Sequence, residues 1–167
     1  KNIKLFCGKP LIFWNLKELQ NSNVDEIIVA TDSEKIKDMV SLFSFSKVKI
    51  FDRGDLNSQD DSFTESVMLE YITASNVLDS DVFMLVQATS PFTQSTNFNE
   101  GLKMFKHYDS VLSCCKSKRF SWRDGKALNY AIYNRPRRQD FQGTMIENGA
   151  FYISKVEDIK KSKNRIS

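Results

Sequence analysis

A short apolar run that is followed at once by polar residues constrains this sequence most. Val82–Val86 contains no polar residue, whereas a strand with one wet face alternates polar and apolar side chains. The run therefore predicts a strand covered on both faces, as in a parallel sheet between two helix layers. Gln87, Thr89 and Ser90 then place an amide and two hydroxyls after this strand. Because ligands of open α/β sheets bind beyond the carboxyl ends of strands, this turn is either a binding site or a polar turn without a ligand.

Similar patterns recur along the chain and predict strands that alternate with helices. The predicted strands cover 27–31, 48–51, 82–86, 110–115 and 148–154. The first predicted helix begins near Pro10, and the other predicted helices cover 33–43, 64–75, 96–107 and 155–161. This order predicts an α/β fold of three layers, α/β/α, with a mostly parallel sheet. Residues 116–143 contain aromatic residues and arginines but no helical or strand repeat, so they form an insertion in this pattern.

Composition limits the classes of protein to which the chain can belong. The chain has 167 residues, of which 41% are hydrophobic. Residues 1–167 can therefore form one domain with its own core. The net charge of +3 argues against a nucleic-acid partner. The sequence also lacks an apolar run of about 20 residues, so no membrane span is predicted. Three cysteines form neither a disulfide framework nor a zinc-binding spacing, which favours the cytoplasm.

Three arginines lie within four positions of the irregular segment, at Arg135, Arg137 and Arg138. Their charges repel one another unless an anion lies between them, and the planar guanidinium group matches carboxylates and phosphates in a bidentate fashion. The cluster is therefore a candidate anion-binding site. The alternative is a solvated loop in which the arginines pair with Asp140 and Glu147.

Polar residues that follow other predicted strands are further candidates. Arg53 begins a long polar loop, and Ser62 and Thr64 lie where a helix starts, so a phosphate could meet exposed N–H groups there. Ordinary N-capping explains the two hydroxyls equally well. Asp32, or the serine after it, is interpreted as the cap of the next helix rather than as a metal ligand.

The aromatic residues of the irregular segment also allow two interpretations. Phe120, Trp122 and Arg123 could line a pocket, or they could form an apolar patch that another subunit covers. The sequence contains no Ser-His-Asp set, no metal-binding histidine pair and no Walker-type glycine loop, so a covalent nucleophile has no support.

Several motifs, taken in order, resemble one family. They are K-N-I-K (1–4), G-K-P-L-I (8–12), A-T-D (30–32), Q-A-T-S-P (87–91), R-P-R-R-Q-D (135–140) and E-N-G-A-F-Y-I (147–153). In this order they resemble the acylneuraminate cytidylyltransferases, also called CMP-sialic acid synthetases, over nearly the whole chain. The resemblance implies a Rossmann-like fold of the nucleotide-diphospho-sugar transferase type.

The resemblance implies an activity as well as a fold. The expected reaction is transfer of CMP from CTP to an acidic nine-carbon sugar, with release of pyrophosphate and with Mg²⁺ as cofactor. The family pattern extends further at both ends, with a basic glycine-containing loop before it and metal-binding aspartates after it. The Mg²⁺ ligands are therefore expected outside this chain. The alternatives are a cytidylyltransferase for a pseudaminic, legionaminic or octulosonic acid, and a non-catalytic nucleotide-binding module.

Site residues also follow from the resemblance, position by position. The expected nucleotide contacts are Lys1, Asn2, Arg53 and Thr64, the expected sugar contacts are Gln87, Arg123 and Tyr152, and the expected catalytic residues are Gln87 and Arg137. Some bacterial members have Arg-Pro before the Asn-Gly pair, whereas this sequence has Ile146 and Glu147 there. Recognition of the sugar carboxylate is therefore expected to differ from theirs. The family's dimeric habit predicts a homodimer in which 116–143 crosses to the other subunit.

Overall fold

The structure, a computed structural model, describes residues 1–53 and 63–166; Ser62 lies outside them. Its strands are β1 Leu5–Phe6, β2 Lys9–Pro10, β3 Ile27–Ala30, β4 Val48–Phe51, β5 Val82–Val86, β6 Ser110–Ser117, β7 Trp122–Arg123, β8 Lys126–Ala127 and β9 Thr144–Lys155. The α-helices are α1 Leu11–Gln20, α2 Glu34–Ser41, α3 Thr64–Ala74, α4 Ser95–Phe105 and α5 Val156–Ser162. Two compact units result: the first comprises Lys1–Leu112 with Gly149–Ser167, and the second comprises Ser113–Asn148.

Strand β5 has helices packed against both of its faces. Met84 and Val86 pack against a core cluster that includes buried residues of α1 and α4. Phe83 and Leu85 pack against a second cluster, to which α3 and α5 contribute the buried residues. Because neighbouring residues of a strand point to opposite faces, this alternation means that helices cover both faces of β5 from Phe83 to Val86. Val82, at the start of the strand, is 49% exposed. The prediction of a strand covered on both faces is confirmed for the four residues after Val82.

The sheet is less parallel than predicted. Strands β3 and β4 pair in parallel, but β5 and β9 pair antiparallel, as do the hairpins β1–β2 and β7–β8. In the three-stranded sheet, β9 lies between β5 and β6. A parallel neighbour needs a crossover connection, usually a helix, and the described segment that leads into β9 contains no α-helix. The expectation of a mostly parallel sheet is thus not confirmed, although the α/β character is.

The predicted helices and long strands match the structure to within a few residues, but two hairpins were missed. Hairpin β7–β8 turns through Asp124 and Gly125, which have φ angles of 49° and 75°. An Asp-Gly pair is a recognised signal for a two-residue hairpin turn, because both positions need φ above zero. The signal was present in the sequence, but the flanking strands are too short to show alternation.

The second unit has a small aromatic cluster of its own. The ring of Phe120 lies 4.6 Å from that of Tyr130 and 5.2 Å from that of Phe141. Trp122 meets the edge of Tyr130 at 6.1 Å. The irregular segment therefore packs partly against itself, which sequence periodicity could not show because these residues lie in a two-residue strand and in irregular segments. Its predicted role in dimerisation remains a prediction.

No helix within 1–53 and 63–166 combines the length and the apolar character that a membrane crossing requires.

Candidate functional site

Gln87, directly after β5, has a backbone fixed from three directions. Its N–H donates to the carbonyl of Ala150 at 3.1 Å, which extends the pairing with β9. Its carbonyl accepts from the N–H of Ser90 at 3.1 Å and from Nδ2 of Asn15 at 3.0 Å. A strand, a turn and a helix therefore hold this residue, and its side chain begins from a rigid position.

Asn15 is a polar residue in the middle of an apolar helix face. It is 2% exposed and lies in α1 between the buried residues Ile12, Leu16 and Leu19. Its Nδ2 donates to the carbonyl of Gln87, whereas its Oδ1 has no hydrogen-bond partner among the described residues. Buried amides are normally placed for a specific contact, so an asparagine in an apolar stripe is a signal that the sequence analysis could have used.

Gly149 lies where the side chains of Gln87 and Tyr152 approach each other. A Cβ atom on Gly149 would be 3.0 Å from Oε1 of Gln87 and 3.9 Å from the hydroxyl of Tyr152. The φ angle of Gly149 is 72°, a conformation that favours glycine. Tyr152 itself is buried, with 4% exposure. The predicted sugar contacts Gln87 and Tyr152 are thus brought together in the first unit.

Arg165 lies against Tyr152 and was missed by the sequence analysis. Its guanidinium carbon is 5.3 Å from the centre of the Tyr152 ring, and its Nε donates to Oε1 of Glu65 at 2.6 Å. The hydrogen bond from Arg165 lowers the pKa of Glu65, and the same bond raises the pKa of Arg165. Glu65 and Arg165 are 100 positions apart, so no local pattern links them.

A second polar group lies at the carboxyl ends of the parallel strands β3 and β4. Arg53 follows β4 and forms an ion pair with Asp32, which follows β3. The hydrogen bond from Arg53 is the main cause that lowers the pKa of Asp32. Of the two residues predicted to cap α2, Ser33 is the N-cap, although its side chain makes no capping bond within the described residues.

Lys37 of α2 adds to the charges near this group. Its Nζ lies 2.7 Å from carboxylate oxygens of both Asp52 and Glu34. The hydrogen bond to Asp52 is the largest cause that raises the pKa of Lys37, followed by that to Glu34. The edge formed by β3 and β4 is therefore strongly polar, with cations and carboxylates paired with one another.

The remaining predicted nucleotide contacts are Lys1 and Asn2, which lie before β1, and Thr64, which begins α3. The carbonyl of Asn2 accepts from the N–H of Ile12 at 2.9 Å, and that of Lys1 accepts from the N–H of Lys4 at 3.1 Å. These bonds fix the segment before α1 through its backbone. Thr64 is the first residue of α3 and is half-buried. A first helical turn presents backbone N–H groups, which suits an anionic or hydroxyl ligand.

The arginine cluster of the second unit spreads in three directions. Nε of Arg137 lies 2.6 Å from Oδ2 of Asp140, so the predicted alternative of pairing with Asp140 holds for this residue. Arg135 stacks over Phe120 at 4.7 Å. Arg138 lines an open cleft of about 480 Å³, whose other lining residues are Cys115, Lys116, Ser117, Lys118, Arg119 and Ile146. The predicted sugar contact Arg123 is exposed in hairpin β7–β8.

Metal ligands are not gathered in the described part of the chain. Within 1–53 and 63–166, no group of three or more His, Cys, Asp or Glu side chains could hold a metal ion. Asp32 and Asp52 lie on the same edge, but each is engaged by a cation. The described residues therefore do not fit a magnesium site by themselves.

The fold resembles that of solved cytidylyl-transferring enzymes. The chain is similar to 4-diphosphocytidyl-2C-methyl-D-erythritol synthase from Anaerococcus prevotii, with a TM-score of 0.69 and 15% identity over 95% of this chain and 65% of that one. It is also similar to CMP:2-keto-3-deoxy-manno-octonic acid synthetase in complex with CTP, with a TM-score of 0.66 and 16% identity over 97% of this chain and 70% of that one. The chain therefore shares the fold of these two enzymes.

Sequence comparison gives the family of the chain. The profile of the cytidylyltransferase family matches residues 1–129, so the chain belongs to this family. The chain is also 35% identical to N-acylneuraminate cytidylyltransferase B of Danio rerio over 164 residues, and this match covers 92% of the chain. The same match covers only 38% of the length of that relative. The resemblance to acylneuraminate cytidylyltransferases is therefore confirmed.

Proposed function

We propose that the protein activates an acidic nine-carbon sugar, an N-acylneuraminate, by transferring CMP to it from CTP. The observation that carries this proposal is the group formed by Gln87, Gly149 and Tyr152 at the end of β5, in a chain of the cytidylyltransferase family. In this group the Gln87 side chain starts from a fixed backbone, and its amide and the Tyr152 hydroxyl lie beside a position without a side chain. Hydroxyl-rich sugars are bound by such donors and acceptors.

The nucleotide is assigned to the edge formed by β3, β4 and the start of α3. Arg53 brings a permanent positive charge there, and Thr64 begins a helix whose N–H groups favour anions. Asp32 holds the guanidinium group of Arg53 in place, so that Arg53 reaches the nucleotide from a fixed position. Lys1 and Asn2 are proposed to contact the phosphates from the segment before α1.

The sugar is assigned to Gln87 and Tyr152, and the arginines of the second unit are proposed to meet negative charge. Arg137 is the proposed catalytic arginine, because a guanidinium group can stabilise charge on a transferring phosphoryl group. Its present partner, Asp140, is exposed to about one half, and Arg137 is exposed to about three quarters. Such an exposed pair is weak, so a substrate anion can replace Asp140. Arg123 is proposed as a further sugar contact.

The reaction needs no covalent enzyme intermediate. The anomeric hydroxyl of the sugar attacks the α-phosphorus of CTP, the bond from this phosphorus to the bridging oxygen of pyrophosphate breaks, and the hydroxyl proton is released. The residues named above orient the sugar and stabilise negative charge on the phosphates. A divalent ion, proposed to be Mg²⁺, would neutralise phosphate charge when bound. Its ligands are proposed to lie outside the described residues.

Turnover of the protein made from its complete coding sequence tests this function. We expect pyrophosphate release from CTP with an N-acylneuraminate, and much less with ATP, GTP or UTP. A panel with pseudaminic, legionaminic and octulosonic acids identifies the preferred acidic sugar. Binding of all four triphosphates with equal affinity and no release with any sugar would overturn the proposal and leave a non-catalytic nucleotide-binding module.

We further propose that the protein is a cytoplasmic homodimer. The three cysteines are free, as a reducing compartment allows. The second unit exposes several large apolar side chains, among them Trp122 at 53%, Ile132 at 52% and Tyr133 at 103%. Apolar and aromatic residues of this kind are enriched in the buried centres of interfaces, and a second copy of this chain is the proposed partner.

Sedimentation of the Tyr133→Arg variant tests the dimer. We expect a dimer for the unmodified protein at micromolar concentration, and a shift towards monomer with reduced activity for the variant. Leu42→Arg is the matched control, because Leu42 is 78% exposed in the first unit, and it should leave the dimer intact. A monomer that retains full activity would contradict this proposal.

A further inference from the structure

The segment after α5 turns back onto β9. Lys163, the residue that ends the helix, has a φ angle of 56° and therefore reverses the chain direction. Oγ of Ser154, which is 1% exposed, then donates to the carbonyl of Arg165 at 3.1 Å. This bond fixes the backbone of Arg165 beside β9, so its side chain starts from a defined point.

The side chain of Arg165 joins two parts of the proposed active site. Its Nε donates to Glu65 in the first turn of α3, next to Thr64, and both side chains are only about one-fifth exposed, at 21% and 22%. Its guanidinium group lies over the ring of Tyr152. Arginine suits this position because one side of its planar group can pair with a carboxylate while its face stacks on an aromatic ring.

Tyr152 in turn is next to the amide of Gln87. A Cβ on Gly149 would lie within 4 Å of both side chains, so the missing Cβ leaves a space that both of them border. The Tyr152 hydroxyl and the Gln87 amide therefore border the same small space at Gly149, and we expect a shift of the Tyr152 ring to change the room that is open to the amide. Small displacements of such groups matter, since a misplacement of about 1 Å can reduce a reaction rate by roughly a hundredfold.

We propose that Arg165, held by Glu65, is a positioning residue that keeps Tyr152 and Gln87 in the arrangement that binds the acidic sugar. The inference rests on the proposed function for its kinetic consequence, but the positioning itself concerns the protein without substrate. A merely stabilising ion pair between α3 and the segment after α5 is the alternative. In that case, loss of the ion pair would change the melting temperature without changing the arrangement of Tyr152 and Gln87.

Arg165→Met tests the inference, because methionine keeps an apolar contact on Tyr152 but removes the charge and the hydrogen bond. We expect the side-chain amide signal of Gln87 in NMR spectra, assigned by its loss in Gln87→Ala, to shift. We also expect the KM for the sugar to rise by about tenfold, with the KM for CTP changed less than about twofold. Arg165→Lys should shift the Gln87 signal and raise the sugar KM less than Arg165→Met does. Glu65→Gln should shift the same signal.

Lys160→Met is the matched control. Lys160 of α5 pairs with Asp79 at 2.6 Å and touches neither Tyr152 nor Gln87 in the described contacts, so its loss removes an ion pair from the same region. It should leave the Gln87 signal and the sugar KM unchanged. An unshifted Gln87 signal in folded Arg165→Met would overturn the inference. A shifted signal in a protein that turns over no acidic sugar would support the positioning and reject the proposed function instead.

Discussion

Replacing Gly149 with alanine is expected to raise the KM for the acidic sugar at least tenfold and to lower the melting temperature. The backbone of Gly149 has a φ angle of 72°, and a side chain in this left-handed region costs about 1–2 kcal/mol. The added Cβ would also lie 3.0 Å from Oε1 of Gln87, which is closer than ordinary contact. The amide must therefore move away, and the proposed sugar contact moves with it. Steady-state kinetics and a thermal melt on the same preparation measure both effects.

Gly8→Ala separates backbone strain from the contact with Gln87. Gly8 has a similar φ angle of 77°, but no described atom lies within 4 Å of the position that its Cβ would take. This variant should lose a comparable amount of stability while the sugar KM stays close to that of the unmodified protein. Equal sugar KM values for the two variants would show that the space next to Gly149 has no role in binding.

Replacing Phe98 with alanine is expected to reduce the free energy of unfolding by about 3–5 kcal/mol, the usual range for a fully buried phenylalanine. Phe98 is 0% exposed in α4, and its ring meets that of Phe151 at 5.4 Å. The neighbouring Gly101 is so close to β9 that a Cβ there would lie 2.8 Å from the Phe151 ring. The backbone of α4 is thus already in contact with side chains of β9, so the cavity left by Phe98 cannot easily collapse.

Urea unfolding measures this loss, and Phe63→Ala provides the control. Phe63 is 77% exposed, and exposed positions usually change stability by no more than about 0.5 kcal/mol. A loss below about 1 kcal/mol for Phe98→Ala would contradict the packing of α4 against β9 described above.

Much of the fold could be predicted because its strands and helices have regular periods. The apolar run of β5 indicated a strand covered on both faces, and the amphipathic segments indicated the helices α2 to α5. Strand direction could not be predicted as well, because an unbroken apolar run shows only that both faces are covered, and an antiparallel strand can also be covered on both faces. The register, which runs from Val82 opposite Lys155 to Val86 opposite Phe151, shows that β9 is antiparallel to β5.

The residues of the candidate site could be predicted where they lie in sequence motifs. They could not be predicted where only a tertiary contact links them to the site. Gln87 and Tyr152 lie in motifs, and the structure brings them together around Gly149. Arg165 could not be found, because its partner Glu65 is 100 positions away and an isolated arginine near a helix end has no special pattern. The arginine cluster shows the opposite case: three neighbouring charges indicated one site, but their side chains go to different partners.

Kinetics of Gln87→Ala test the central claim most directly, because the claim is that the residue after β5 contacts the sugar and not the nucleotide. Loss of a hydrogen bond of about 0.5–1.5 kcal/mol corresponds to a roughly 2- to 12-fold rise in the sugar KM. The KM for CTP should stay nearly unchanged. The melting temperature should also stay close to the original, because the backbone bonds of Gln87 to Ala150, Ser90 and Asn15 remain. An unchanged sugar KM and kcat in folded Gln87→Ala would contradict the assignment of this site.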